Sequence, residues 1–565
     1  MHRVKVSTLD RGVENGAFEY ERFALVTLFL DFLCACRHRS EGALRATPPT
    51  GRIRSPVRSR LTGQHRRFTV SGRLFAAVLC MSAWGEATSA TSATAVSRLP
   101  ESREDFTTAF LKTHSLERVE LTMAAGEGEA VLIALEAGDH SLRPIQRVDS
   151  SVSIRIYRVG WITVADRLGN PISKPDPLFP LRHGETYRCE EERCLLWVRV
   201  SVDSAAQLLP SDSLRLEVTS DDHVTDSIDV VVRSLPVRIE QESRLHLQAA
   251  LAKVVGPPTE RRVAEAYALM SGFKINTSAV NERLIDCSSC LYKRLFDGAG
   301  MRSARLAFPN AKRFFRDRDP DPQAISAYVD LVSRSVKSHT SMLERFPDRF
   351  HIKLWDEPTA EDRPVAATVY ERVKQLFPRI SLEVAGARSS GNADTDVRAD
   401  IDVVRLQDLD ISGRLSGSRV SADHTETWLY ANTMHSLRRP LHAMRNIGWL
   451  IWLLDLDGYH FWNVAYARGD PLTDIFDEKD YFGRGLFLYP DDASGTYVPS
   501  LRLASFREGI EDHQLLMTLG ESSSRRLRTA VMAEFNPGSG RKRYLSSTEE
   551  LRRMLNDVLR EMADR

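Results

Sequence analysis

Two adjacent carboxylates, Asp356 and Glu357, stand between a tryptophan and a proline in the segment Leu354-Trp355-Asp356-Glu357-Pro358. Carboxyl groups side by side can divide proton chemistry between them. One, held charged, steadies a developing positive centre; the other gives a proton to a leaving oxygen and later takes one from water. The same triplet also makes a good helix start, because acidic side chains satisfy free N–H groups there and proline is at home in the first turn. What separates the two readings is the element that delivers the residues. The preceding run alternates Phe350, Ile352 and Leu354 with polar residues, which is the period of a strand. A strand that ends on two acids presents them at its carboxyl end.

Two further runs end in aromatic residues: one carries Trp428 and Tyr430, the other Tyr459, His460, Phe461, Trp462 and Asn463. Gathered at one mouth, such rings suit the apolar faces of sugars and leave the hydroxyls to polar neighbours. Trp449 and Trp452, three apart on a predicted helix, read as core. His460 lacks a second histidine at a ligand spacing and reads as structural. The run Arg313-Phe314-Phe315-Arg316 reads as a solvated helix edge.

From about residue 245 the pattern alternates strands with helices. Strands are expected at 246–254, 272–277, 305–308, 350–355, 381–385, 401–406, 427–432 and 458–464, with amphipathic helices between them, such as 323–337 and 364–377. Eight such units predict a TIM-type (β/α)8 barrel over 245–525, in which the loops after the strands converge on one mouth. Upstream, over 105–237, the period is two. Val152/Ile154/Ile156, Leu196/Val198/Val200/Val202, Leu214/Leu216/Val218 and Ile228/Val230/Val232 predict strands buried on one face, hence an antiparallel β-sandwich. Residues 526–565 are expected to form a helical tail.

The 565 residues hold 77 Lys and Arg against 76 Asp and Glu, a net charge of +1, which gives no basic groove for nucleic acid. No apolar run is long enough to span a bilayer. Residues 1–69 are expected to be a disordered basic leader, and 70–95 a signal peptide: a basic patch, an apolar run from Leu74 to Met81, and the site Ala93-Thr94-Ala95. That order predicts secretion or periplasmic export, with the true start downstream of Met1. Cys34, Cys36 and Cys80 would leave with the leader. Cys189/Cys194 and Cys287/Cys290 remain as two close pairs, which suit disulfides or free thiols better than a zinc site lacking two further ligands.

Trp355-Asp356-Glu357-Pro358, Trp428-x-Tyr430, Pro440, Arg445, Trp449 and Asp457-Gly458-Tyr459-His460-Phe461-Trp462-Asn463 together resemble glycoside hydrolase family 123 and the related domain-of-unknown-function 4091 proteins. So do Leu488-Tyr489-Pro490, Pro499-Ser500-Leu501-Arg502-Leu503, Arg507-Glu508-Gly509-Ile510-Glu511-Asp512 and, in the sandwich, Pro175-Asp176-Pro177-Leu178. The resemblance implies retaining hydrolysis of β-linked N-acetylgalactosamine by a substrate-assisted route. Glu357 would protonate the leaving oxygen and activate water, and Asp356 would orient the 2-acetamido group. Tyr430 or Tyr489 would donate to the acetamide oxygen, and Trp462 would wall the pocket. Trp428 and Asn463 complete the expected sugar-binding set.

Adjacency supports this route independently, since neighbouring residues cannot flank a ring as an acid and a protein nucleophile must. Two other readings stay open. One is a non-catalytic carbohydrate-binding or cell-surface protein on the same scaffold. The other is a glycosidase for sugars lacking the acetamide, with Asp402, Asp455 or Asp457 as second carboxylate. The expected partner is a glycan, and no metal or organic cofactor is required.

Overall fold

The computed structural model divides the chain into two units, Met1–Glu86 and Ala87–Arg565. It describes residues 94–96 and 118–563, apart from loop stretches of which the longest are 281–288, 387–396, 410–424, 473–482 and 536–548. The leader and almost all of the expected signal peptide, with Cys34, Cys36 and Cys80, lie outside the described residues, as does Cys287.

Among the described residues, ten strands make the sandwich. One sheet has the order β1 (Thr94–Val96), β3 (Gly128–Leu135), β8 (Cys194–Val202), β5 (Val152–Ala165) and β6 (Pro171–Leu181). The other has β2 (Arg118–Ala125), β10 (His223–Arg238), β9 (Ser211–Ser220), β4 (Gly138–Gln146) and β7 (Thr186–Cys189). The pairing is antiparallel except that β10 runs parallel to β2. Period-two valines, leucines and isoleucines from both sheets, among them Val119, Ile133, Ile154, Val198, Leu216 and Val230, form the core between them. Burial of each such side chain is worth about 1.5–3 kcal/mol. Cys189 and Cys194 are joined, stapling β7 in one sheet to β8 in the other.

Burial on one face only, the sequence expectation, fails for β3 and β8. Leu132, Leu195 and Trp197 belong to the core that the barrel shares. This sheet is therefore covered on both sides, which is why Cys194–Val202 reads as a nearly unbroken apolar run.

The barrel closes in the order β11 (His246–Leu251), β12 (Thr277–Val280), β13 (Ser303–Arg305), β14 (Phe350–Asp356), β15 (Ser381–Ala385), β16 (Ile401–Arg405), β17 (Glu426–Tyr430) and β18 (Gly458–Phe461), all pairs parallel. Its helices include α1 (Glu260–Ser271), α2 (Ser289–Asp297), α3 (Ala311–Phe314), α4 (Pro322–Ser338), α5 (Thr340–Arg345), α6 (Arg363–Leu376) and α7 (His442–Leu453). Two expected strands fall elsewhere: 305–308 meets β13 only at Arg305, and 272–277 is mostly a turn after α1. Lys274 adopts a left-handed backbone (φ 69°), and its ammonium donates to the carbonyls of Glu240 and Gln241, so the strand starts only at Thr277.

Beyond a short hairpin, β19 (Leu488–Asp491) with β20 (Thr496–Pro499), the chain ends in α8 (Leu501–Leu516), α9 (Glu521–Phe535) and α10 (Glu549–Ala563). The boundary expected at residue 525 thus falls inside α9. Helix α8 is buried on nearly every side, charged residues included. A buried charge is tolerated only when paired, and each finds its partner in another part of the fold. Arg502 meets Asp176 of β6 at 2.8 Å, and Glu511 meets Arg199 of β8 at 3.1 Å. Asp512 accepts from Arg445 of α7 at 2.7 Å and from Arg552 of α10 at 2.5 Å. Arg445 also reaches Glu129 of β3 at 2.7 Å, and Arg552 reaches Glu127. The carboxylates of Glu127, Glu129 and Asp512 cluster within 4.8 Å of one another. With two guanidiniums already among them, they form a weld between sandwich, barrel and tail.

Candidate active site

The Asp356-Glu357-Pro358 triplet, which would also serve as a helix start, resolves as a strand end. Asp356 closes β14, and the next helix, α6, begins only at Arg363 after a turn in which Thr359 N–H donates to Asp362. The pair therefore lies at the carboxyl end of the fourth barrel strand.

An irregularity in β14 aims the two residues. Its register with β15 runs Lys353 to Glu383 and then Trp355 to Val384, so Leu354 is an extra residue in the ladder. Such a bulge re-phases the side chains. Trp355 turns outward and stacks on Phe315 at 5.7 Å, while Asp356 turns to the same side as Lys353 and accepts from its ammonium at 2.8 Å. Tyr370 of α6 clamps this stretch: it accepts from the Trp355 N–H and donates to the Glu383 carbonyl. Glu357 follows in a left-handed conformation, φ 48°, its N–H donating to the Ala385 carbonyl at 3.0 Å. Cβ-bearing residues pay for such a backbone, and strain of this kind gathers at functional sites. Gly386 makes room for it, since a Cβ there would stand 3.3 Å from Cγ of Glu357.

The barrel interior below the pair is polar where a packed barrel is normally filled by branched apolar residues. Glu383 of β15 is fully buried. It accepts from Gln248 at 3.0 Å and lies 3.1 Å from His351, 3.8 Å from Arg305 and 3.9 Å from His460. Burial opposes its ionised form, but the His351 hydrogen bond and the charges of Arg305 and Lys353 outweigh that and hold it well below the usual carboxylate range. Burial pushes His460 down to about 3, so it is neutral. Asp356 is also held below the ordinary value, chiefly by the charge of Lys353. The floor is thus ionised at Glu383 and Asp356 and capped by one lysine and one arginine.

Sequence reasoning missed this layer. Its signal lay in the polar positions of otherwise apolar strands: His351 and Lys353 two apart in β14, Glu383 in Ser381-Leu382-Glu383-Val384-Ala385, and Gln248 in β11.

The expected sugar-binding residues divide. Tyr430 ends β17, half-buried, its ring 5.8 Å from that of His460. Trp462 directly follows β18; it donates to Asn432 at 3.0 Å and packs on Tyr466. Both lie at the same end of the barrel as Asp356 and Glu357. Asn463 is buried and turns the chain, its Oδ1 accepting from the Ala465 N–H. Trp428 sits deep in the barrel instead: it stacks on His246, the first residue of β11, and donates to Glu426, the first of β17. Tyr489 is fully buried at the junction with the sandwich, donating to Asp176 at 2.6 Å. Ring type alone does not reveal the level along the barrel axis, which is why Trp428 reads in sequence as a mouth residue, whereas Tyr489 was expected at the sugar only from the family resemblance.

The alternative second carboxylates are placed away from the mouth. Asp457 precedes β18 and accepts from the Thr427 N–H, and Asp455 lines a cavity of about 500 Å³ at this opposite end, with His246 and Glu426. Asp402 lies between Ile401 and Val403, which cluster with Trp428 inside the barrel, so alternation turns it toward the helices. Trp449 and Trp452 are buried as expected. Of the run 313–316, Phe314 and Phe315 pack on Tyr328 while Arg313 and Arg316 are exposed.

A closed parallel α/β barrel with paired carboxylates at a strand's carboxyl end and aromatic residues beside them has the architecture of a barrel glycoside hydrolase. Residues 323–519 match the family model described as glycoside hydrolase 123, catalytic domain. Residues 323–519 are thus similar to the catalytic domain of glycoside hydrolase family 123, the family named by the sequence resemblance. A family 123 glycoside hydrolase from Clostridium perfringens, studied for glycolipid glycan hydrolysis, shares the fold at a TM-score of 0.61 and 12% identity, covering 83% of this chain and 99% of that one. A family 39 glycoside hydrolase from Bacteroides cellulosilyticus WH2 aligns at a TM-score of 0.34 and 11% identity, over 70% of this chain and 82% of that one. A Bacteroides ovatus GH5 xyloglucanase aligns at 0.30 and 9% identity, over 69% and 98%. Among curated proteins no match is found.

Proposed function

We propose that the protein hydrolyses β-linked N-acetylhexosamine, N-acetylgalactosamine in particular, with retention and with the substrate's own acetamide as nucleophile. The observation that carries this reading is the neighbouring pair at the end of β14, of which Asp356 is tied to Lys353. A protein nucleophile and an acid need carboxyl groups about 5–5.5 Å apart on either side of the bond, and adjacent residues on one strand end are poorly disposed for that. A carboxylate kept ionised is suited to receive the acetamide N–H and to stabilise positive charge on the nitrogen as the oxazolinium-like ring forms. Glu357 then protonates the leaving oxygen and activates water. Tyr430 and Trp462 flank the sugar. Export through the segment 70–95 is part of the same proposal, supported by the Cys189–Cys194 disulfide, which belongs in an oxidising compartment.

A panel of aryl β-glycosides with and without a 2-acetamido group tests it. Turnover confined to the acetamido substrates, inhibited by an acetamide-derived thiazoline and lost in Glu357→Gln, is expected. Equal turnover of glycosides lacking the acetamide would refute the substrate-assisted route, and binding without turnover would refute the enzyme.

A further inference from the structure

Adjacent carboxylates pose a problem of assignment: nothing in their chemistry says which is to stay charged and which is to carry the proton. We propose that Lys353 is a positioning residue that fixes Asp356, and only Asp356, as the charged member of the pair, leaving Glu357 as the proton carrier. The inference deepens the functional reading above and rests on it for the roles, but the contact between Lys353 and Asp356 stands on geometry alone.

Lys353 is largely buried, its side chain 13% exposed, and Asp356 is half open at 52%. A buried ammonium needs partners. The nearest carboxylate across the ladder, Glu383, is already engaged by Gln248 and His351, with Arg305 and His460 beside it. Lys353 therefore turns up the strand to Oδ1 of Asp356. The bulge at Leu354 makes this possible, because it puts residues 353 and 356 on one side of the strand. One oxygen of Asp356 is thereby taken, and the other is left for the mouth.

The groups facing Asp356 are Lys353 from its own strand, Arg305 from β13 and neutral His460 from β18, with Glu383 of β15 behind Lys353. Lys312 of α3 reaches the backbone carbonyl of Glu357 at 3.4 Å. Of these, Lys353 makes the hydrogen bond.

The test is the pH profile of kcat/KM on an aryl β-N-acetylgalactosaminide for the wild type, Lys353→Met and Lys353→Arg. Loss of an opposite charge within about 4–6 Å raises a carboxylate's pKa by roughly 1–3 units. The acidic limb is expected to move to higher pH by about that amount in Lys353→Met and to stay within about half a unit of wild type in Lys353→Arg, which a purely structural lysine would not produce. An unmoved limb in folded Lys353→Met overturns the proposal; Lys353→Gln replaces it should the methionine variant not fold. If the wild type turns over no acetamido glycoside, the functional reading fails by itself. The lysine's role is then read from a carbon-13 carboxyl titration, with the Asp356 signal identified by its absence in Asp356→Asn. A midpoint that rises in Lys353→Met upholds the proposal, and one that does not overturns it.

Discussion

Tyr489→Phe separates two jobs that one hydroxyl cannot hold at once. The Tyr489 oxygen donates to Asp176 at 2.6 Å, both residues are fully buried, and Arg502 closes the group at 2.8 Å from the same carboxylate. A hydrogen bond to a charged acceptor contributes about 1.5–3 kcal/mol, and phenylalanine fills the same space, so no cavity adds to the loss. Asp176 keeps Arg502, which places the expected cost near 2 kcal/mol. For a unit the size of Ala87–Arg565, at about 2 cal/mol/K per residue, the unfolding entropy is on the order of 1 kcal/mol/K. Tm then drops by only about 2 °C, and the denaturant midpoint is the more sensitive measure. KM and kcat on an aryl β-N-acetylgalactosaminide are expected to stay at wild-type values. A variant of unchanged stability whose kcat/KM drops tenfold would mean that the hydroxyl meets the substrate, and the argument from burial would be wrong.

Glu357→Gln is expected to lower kcat by about 10²–10⁴-fold, the usual weight of a general acid, with no change in Tm because its side chain is exposed; near-normal kcat would remove it from the mechanism. Gly386→Ala is expected to lower kcat by roughly tenfold or more while costing about 1 kcal/mol of stability, since it strains a φ of +66° and presses on Cγ of Glu357. Wild-type kinetics in that variant would show that the crowding is relieved elsewhere. Burial opposes the ionised form of Glu511, but Arg199, Arg507 and Lys274 outweigh it and hold its pKa at about 2, below the ordinary 4.5. Its contribution, about 3 kcal/mol, is complete above pH 4.5 and is lost as pH falls toward 2. Glu127 and Glu508, which burial raises, titrate above this window. They make stability rise on acidification only down to the ordinary 4.5, so denaturant curves at pH 4.5, 3.5 and 2.5 check the slope, and a stability that climbs across that interval contradicts it.

The barrel was legible because its pattern changes period where β10 ends at Arg238, and β15, Ser381–Ala385, was bounded to the residue. The pair at 356–357 was legible because β14 alternates up to it. What sequence could not give was depth. Trp428 and Tyr430 are two apart on one strand, and only closure of the barrel puts one beside His246 at the far end and the other beside His460 near the mouth. Glu383 was visible as an acid inside an apolar strand, but its partners come from four other strands and meet only across the barrel. The family resemblance offered Tyr489 as a donor to the acetamide, but Asp176, 313 positions earlier, accepts its hydroxyl instead.

The bulge in β14 makes the identity of the inward-facing acid a question of parity. Smooth the ladder so that Leu354 no longer counts as extra, and strict alternation would carry Trp355 into the barrel and turn Asp356 out toward the helices. Neither carboxylate would have changed, and an alignment would still score both as present. A one-residue insertion or deletion in this strand could therefore silence the enzyme more thoroughly than many substitutions, and relatives that keep the Asp-Glu pair need not have kept the reaction.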